Sequence, residues 1–230
     1  MKTQTLSLTF SMTSFVKENY LKALFYLSKT TGEVNINDLS KQLDIKMSTV
    51  TSMMKKLAAL NLVHYESYKP VRLTEKGELE AALIIRKHRL TEMYLVEKMG
   101  FGWEDVHQIA EQMEHIHSPA LFERMDKLLG FPKFDPHGSP IPDKTGKVTR
   151  RTYTKLSDCK KGESVMVSAV YNATDEFLKF LNAKEIQLGV KMNILFVEPF
   201  DKTMVISYKN RLSETLSHTV SERLLVELVK

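Results

Sequence analysis

The chain has 230 residues, 43% hydrophobic and 27% charged, ordinary proportions for globular domains that bury real cores. Its single cysteine, Cys159, excludes an intramolecular disulfide, and no apolar run reaches the roughly 18 residues of a membrane-spanning helix. The net charge of +5 lies wholly in the first 74 residues, with ten Lys+Arg against five Asp+Glu; the remainder holds 23 of each.

Apolar residues recur at helical spacing over 15–27, and Thr31-Gly32 closes that helix. Asn35 offers an N-cap, and Asp38 a first-turn acid, for a short helix ending at Leu43. A third helix is predicted over 48–60, with Val50, Met53, Met54, Leu57 and Leu60 inward. Short extended runs at 62–66 and 71–74 flank Lys69-Pro70 and predict a small β-hairpin. Helical spacing resumes over 79–96 and stops at Gly100-Phe101-Gly102. Further helices are predicted over 103–117 and 119–130. Residues 131–147 hold four of the seven prolines and read as an ordered turn or linker. Beyond it, strands are expected at 165–169, 192–196, 204–208 and 220–228, with a short helix at 175–181. The expected fold class is mainly α with a β-rich C-terminal domain. Residues 1–11 lack a signal peptide's apolar centre, so a cytoplasmic protein without a membrane partner is expected.

Three helices, a hairpin and a basic bias make the pattern of a winged helix-turn-helix, whose third helix enters the DNA major groove. Ser48, Thr49, Thr51 and Ser52 open that helix, where hydroxyls and backbone N–H groups suit base edges and phosphates. Lys55 and Lys56 can neutralise phosphates, and Lys69 and Arg72 fall in the wing. The bland alternative is that Ser48 merely caps the helix and the lysines are solvated.

Four of the seven histidines, His88, His107, His115 and His117, fall within thirty residues. On the predicted 103–117 helix, His107, Glu111, Glu114 and His115 share one face that carries no Lys or Arg. His88 and Glu92 form an i, i+4 pair on the preceding helix. Glu111 and Glu114 repel each other unless a cation lies between them, and imidazole plus carboxylate suits Mn, Fe, Co, Ni or Zn. A wet polar helix face is the plain alternative. No HExxH, glycine-rich phosphate loop, G-x-S-x-G or CxxC is present, so neither catalysis nor a small-molecule substrate is expected. Cys159 precedes Lys160-Lys161, whose charge could lower its pKa, although a lone thiol there is most often incidental.

Glu18-Asn19-Tyr20-Leu21-Lys22, Arg86-Lys87-His88-Arg89-Leu90-x-Glu92 and Val106-His107-x3-Glu111-x2-Glu114-His115 together resemble the DtxR/MntR family of metal-dependent transcriptional repressors. Asp135-Pro136-His137-Gly138-Ser139-Pro140-Ile141-Pro142 is similar to that family's turn after the dimerisation helices. Leu216-Ser217-His218-Thr219-Val220 is similar to the end of its SH3-like, FeoA-type domain. The resemblance covers about residues 12–228. It implies a winged helix-turn-helix at 12–75, a helical metal-binding and dimerisation domain at 76–142, a linker at 143–152 and an SH3-like small β-barrel at 153–230. It also implies a homodimer that binds a palindromic operator in double-stranded DNA and represses metal-ion homeostasis genes, with Mn(II) or Fe(II) as corepressor.

One implied metal site uses Glu111, Glu114 and His115 with a ligand at Asn19, where family members commonly have Met or Asp. Asn offers only a neutral amide oxygen, and Glu18 is the possible stand-in. The other implied site uses His88, Glu92 and His107, completed from the SH3-like domain by Glu176. Ala173 occupies a further ligand position of the family, leaving Asp175 as a weaker substitute; acids in a first helical turn also simply favour the dipole. Glu111 stands where iron-type members often carry Cys, which leans toward Mn(II). Lys22 stands where manganese-type members carry a second acid, which leans toward Fe(II). The rival readings are a winged-helix regulator of a non-metal signal and a metalloenzyme built on the same ligands.

Overall fold

The computed structural model describes residues 2–149 and 151–229, with side chains from Ser14 onward. The chain divides into two compact units: Met1–Thr91 with Ala110–Arg124 and Pro142–Val148, and Glu92–Ile109 with Met125–Ile141 and Thr149–Lys230.

The first unit begins with α1 (Lys2–Thr31), α2 (Ile36–Leu43) and α3 (Met47–Ala59), followed by β1 (Val63–His64) and β2 (Arg72–Leu73). Asn35 opens α2, its backbone N–H donating to Asp38 Oδ2 at 3.3 Å. Asp44 ends α2 in the left-handed region (φ 52°), a conformation Asp tolerates, and this turns the chain directly into α3. Tyr20, Leu21 and Leu24 of α1 form one core with Leu39 of α2 and Val50, Met54 and Leu57 of α3. Strands β1 and β2 pair antiparallel, Val63 opposite Leu73, and a single antiparallel bridge from Val34 to Val71 ties this wing to the residues before α2.

Helix α4 (Glu75–Met99) starts at the foot of the wing. Thr74 caps it, its Oγ1 accepting from the Gly77 N–H at 3.0 Å and donating to the Asn61 carbonyl at 2.8 Å. A Cβ at position 77 would lie 2.0 Å from the Leu62 carbonyl oxygen, so only glycine lets α4 begin so close to the wing.

The helix expected over 103–117 is a single short element, α5 (His107–Met113), followed by α6 (Pro119–Leu128). Helix α5 starts only at His107, and the Trp103 carbonyl ahead of it accepts from His137 Nε2 at 2.8 Å. It ends at Met113, Glu114 and His115 form a turn beyond it, and Pro119 keeps Ser118 out of helical geometry before α6 begins.

The second unit carries β3 (Thr154–Lys155), β4 (Ser164–Val170), α7 (Asp175–Ala183), β5 (Lys191–Val197), β6 (Met204–Tyr208), β7 (Arg211–Leu216), α8 (His218–Ser221) and β8 (Leu224–Leu228). The strands form one antiparallel sheet in the order β3-β8-β4-β5-β6-β7. Bulges between Val167 and Ala169, Ile194 and Phe196, and Ile206 and Tyr208 bend three successive strands. Alternate residues Val165, Val167, Met192, Ile194, Met204 and Ile206 point into a core closed by Phe177, Leu178 and Leu181 of α7. Two details differ from the sequence expectation. β7 carries few buried residues, so its alternation left no apolar signal. The run expected as a strand over 220–228 begins with the end of α8 and becomes extended only at Leu224.

Cys159 is buried, and its pKa is pushed up to about 11, first by burial and then by Glu163 and Asp158. The neighbouring lysines do not make it reactive. The native chain should resist DTNB at pH 8 and react fully in guanidinium; rapid labelling of the native chain would contradict this placement. No helix among the described residues is long and apolar enough to cross a membrane.

Candidate metal centres and DNA-binding face

In the first unit, the stretch of α1 from Glu18 to Lys22 meets the segment around Glu114. Glu114 is fully buried. Its Oε2 lies 2.6 Å from His88 Nδ1, and its Oε1 accepts from Lys22 Nζ at 2.7 Å. The same ammonium donates to Glu111 Oε2 at 2.7 Å. Burial pulls the Lys22 pKa down, but the carboxylates of Glu114 and Glu111 overcome it, and the net direction is up. The ammonium ion is therefore the stable form.

His115 turns the other way and meets α1, its Nδ1 2.7 Å from Glu18 Oε2. Glu18 is buried, accepts from Ser14 Oγ at 3.2 Å and stands 4.0 Å from Lys87 Nζ. Burial lowers the Lys87 pKa against the opposing pull of Glu18 and Glu114. Asn19 Oδ1 is buried with no hydrogen-bond partner.

His88, Glu111 and Glu114 present ligand atoms within 4.8 Å of one another. This donor set, with the orphaned Asn19 oxygen on the adjoining helix, fits a divalent ion of the Mn-to-Zn series. A buried amide oxygen without a partner is costly unless something accepts its lone pairs.

The second unit holds a different cluster. Glu92, Asp135 and His137, all buried, also present ligand atoms within 4.8 Å of one another. His107 is drawn to the same place, its Nδ1 3.3 Å from Glu92 Oε1. His137 Nε2 donates to the Trp103 carbonyl, and its ring stacks on Trp103 with centroids 5.9 Å apart. In the neutral ring this leaves the Nδ1 lone pair, 3.9 Å from Glu92 Oε2, free to ligate. Asp135 is fixed by the backbone N–H groups of His137 and Ser139, both 2.9 Å from its Oδ1.

The structure splits the face that spacing put on one helix: His107 goes to Glu92, as the resemblance implies, whereas Glu111 and Glu114 go to Lys22 and His88. Glu176 sits exposed in the first turn of α7 and, with Asp175, joins no such cluster among the described residues. Asp135 and His137 were missed as ligands. Their signal was an Asp-Pro-His-Gly turn bracketed by prolines, which reads first as loop chemistry.

On α3, Lys46 is the N-cap residue and makes no side-chain cap bond, so Ser48 lies inside the first turn and is not the cap. Ser48, Thr49, Ser52, Lys55 and Lys56 are exposed and Thr51 is half-buried. Ser52 Oγ donates to the Ser48 carbonyl at 3.0 Å. In the wing, Lys69 pairs with Glu66 at 2.9 Å and Arg72 with Glu33 at 3.3 Å, all four side chains exposed. Exposed pairs contribute about 0–1 kcal/mol and exchange readily for phosphate.

Three family profiles match the chain. The iron dependent repressor N-terminal DNA binding domain matches residues 12–71, the iron dependent repressor metal binding and dimerisation domain residues 74–143, and the FeoA domain residues 154–228. The chain is similar to an uncharacterised HTH-type transcriptional regulator of Methanocaldococcus jannaschii, 37% identical over 109 residues, which are 47% of this chain and 87% of the relative. It is also similar to the iron-dependent repressor IdeR of Mycobacterium tuberculosis, 33% identical over 125 residues, 54% of each chain. That match spans about half the length of the relative. A solved manganese-dependent transcriptional repressor in complex with manganese superposes with a TM-score of 0.82 at 28% identity, over 92% of this chain and 99% of that one.

Proposed function

The chain belongs to the DtxR/MntR family of metal-dependent transcriptional repressors, DNA-binding regulators and not enzymes, and from that premise we propose how its own residues work. It acts in the cytoplasm as a homodimer on a palindromic operator of metal-ion homeostasis genes, with Mn(II) or Fe(II) as corepressor. Residues 12–75 read DNA, 76–142 hold metal and dimerise, and 153–230 form the SH3-like domain after the linker 143–152.

The observation that carries this reading is the convergence of His88, Glu111 and Glu114 beside Lys22 of α1, the helix whose other contacts form the α2–α3 core. His88, Glu111, Glu114 and the Asn19 amide oxygen hold the ion of a first centre, with His115 positioned through Glu18. Glu92, Asp135 and His137, with His107 beside Glu92, hold that of a second. When bound, the divalent ion supplies a neutralising charge that several fixed oxygens and imidazoles share. The residues do the rest. Ligands on α1 and around Glu114 meet only when α1 takes one orientation, so occupancy favours that orientation of the recognition helix. Coupling of this kind is typically about 1–3 kcal/mol.

Operator binding measured with Mn(II), with Fe(II) under anaerobic conditions and with chelator tests the proposal. Metal should raise affinity, and affinity should fall steeply with salt. Lys55→Ala and Lys56→Ala should each weaken all DNA sequences alike and reduce the salt slope by about 1. Equal operator affinity in chelator and in metal would reject the reading in favour of a non-metal signal.

A further inference from the structure

We infer that Lys22 is a built-in counter-cation of the first centre: its ammonium holds Glu111 and Glu114 in the metal-free chain, and a divalent ion takes both carboxylates only by displacing it. This deepens the metal-sensing proposal and rests on it.

The geometry carries the inference. Lys22 Nζ donates to Glu111 Oε2 and Glu114 Oε1 at 2.7 Å each, so it occupies the cleft between the two carboxylates. A divalent ion ligated by the same oxygens at about 2.0–2.2 Å needs that same cleft. Two cations cannot share it. Lys22 is largely enclosed, with 13% of its side chain exposed, and Glu114 is fully enclosed, so neither charge is met by water. The buried carboxylate is therefore neutralised before any ion arrives, which an apolar side chain at position 22 would not achieve. The other acid of this region, Glu18, is already engaged by His115 at 2.7 Å. Asn19, three residues before Lys22 on the same helix, has the unpartnered buried oxygen that an incoming ion would meet.

Two consequences follow from exchanging one cation for another. In the metal-free chain α1 is tied to the segment bearing Glu111 and Glu114 through Lys22, and a bound ion replaces that tie with one through the Asn19 oxygen. Uptake is selective for ions that bind these oxygens strongly enough to expel an ammonium ion, which favours later transition metals over Mg(II) or Ca(II).

The test uses the full chain with Lys22→Met, which removes the charge and keeps an unbranched side chain, and Lys22→Arg, which keeps it. Thermal melting in EDTA and calorimetric titration with Mn(II) are compared with wild type. The expected result is that Lys22→Met melts earlier in EDTA yet binds Mn(II) at least tenfold more tightly, while Lys22→Arg stays near wild type in both. Should Lys22→Met not fold in EDTA, Lys22→Gln decides by the same pair of measurements. A wild type that binds Mn(II) with the same isotherm as the uncharged variant overturns the inference and leaves metal sensing intact. No Mn(II) uptake by either chain overturns both.

Discussion

Glu114→Gln should abolish the metal response of operator binding. The substitution keeps the shape of the side chain but removes the one carboxylate that is fully buried and touches both Lys22 and His88. With coupling of about 1–3 kcal/mol between metal and DNA, wild type should gain roughly 5–150-fold in operator affinity on metal addition, and the variant nothing. The variant should also be less stable in chelator by about 1–3 kcal/mol, because charge-assisted hydrogen bonds to a buried carboxylate are lost. That second effect is not predictable from the sequence, where Glu114 reads as a polar residue opposite an untouched apolar face. Operator titrations with and without Mn(II), alongside denaturant melts in EDTA, check both parts. A variant that responds to metal as wild type does would reduce Glu114 to a structural ion pair.

Gly138→Ala should be the most damaging single-methyl change near the second cluster. Gly138 has φ +85°, and a Cβ there would lie 2.3 Å from the Ser168 carbonyl oxygen and 2.6 Å from the Ala169 Cα. Backbone strain and overpacking add, for a loss of roughly 3 kcal/mol. The turn it breaks is the one that holds Asp135 and His137 beside Glu92, so one equivalent of bound metal should be lost without any ligand being changed. Gly130→Ala is the control: its φ is +70°, but a Cβ meets nothing within 4 Å, so only the strain of about 1 kcal/mol remains. Equal stability and equal metal content of the two variants would show that the turn does not support the cluster.

The winged helix-turn-helix was legible because its signals are local. Asn35, the apolar spacing of Val50, Met54 and Leu57, and the Lys69-Pro70 turn each specify their element within a few residues. The strands β4, β5 and β6 were legible for the same reason: one face is buried, so period-2 alternation is written in the side chains. β7 was not, because an edge strand with a single buried residue has no such pattern.

The sequence by itself determined which residue types are available for the chemistry: a stripe of His and Glu without Lys or Arg, on a chain with a basic first third. Spacing alone did not determine their partners, although the family resemblance set His107 with Glu92 and Glu111 with Glu114. His107 and Glu111 are one helical turn apart in α5, yet one meets Glu92 and the other Lys22, since a helix surface offers each side chain a different neighbouring element. Asp135 and His137 become candidate ligands only because the turn between Phe134 and Pro140 is closed and brings them to Glu92, forty-odd residues earlier in the chain. Lys22 looks like an ordinary helix-surface lysine until folding encloses it between two carboxylates. Periodicity and capping are properties of neighbours in sequence and act before the chain is compact. Ligand geometry and charge pairing depend on distances of a few ångström between distant segments, and only the packed structure sets those.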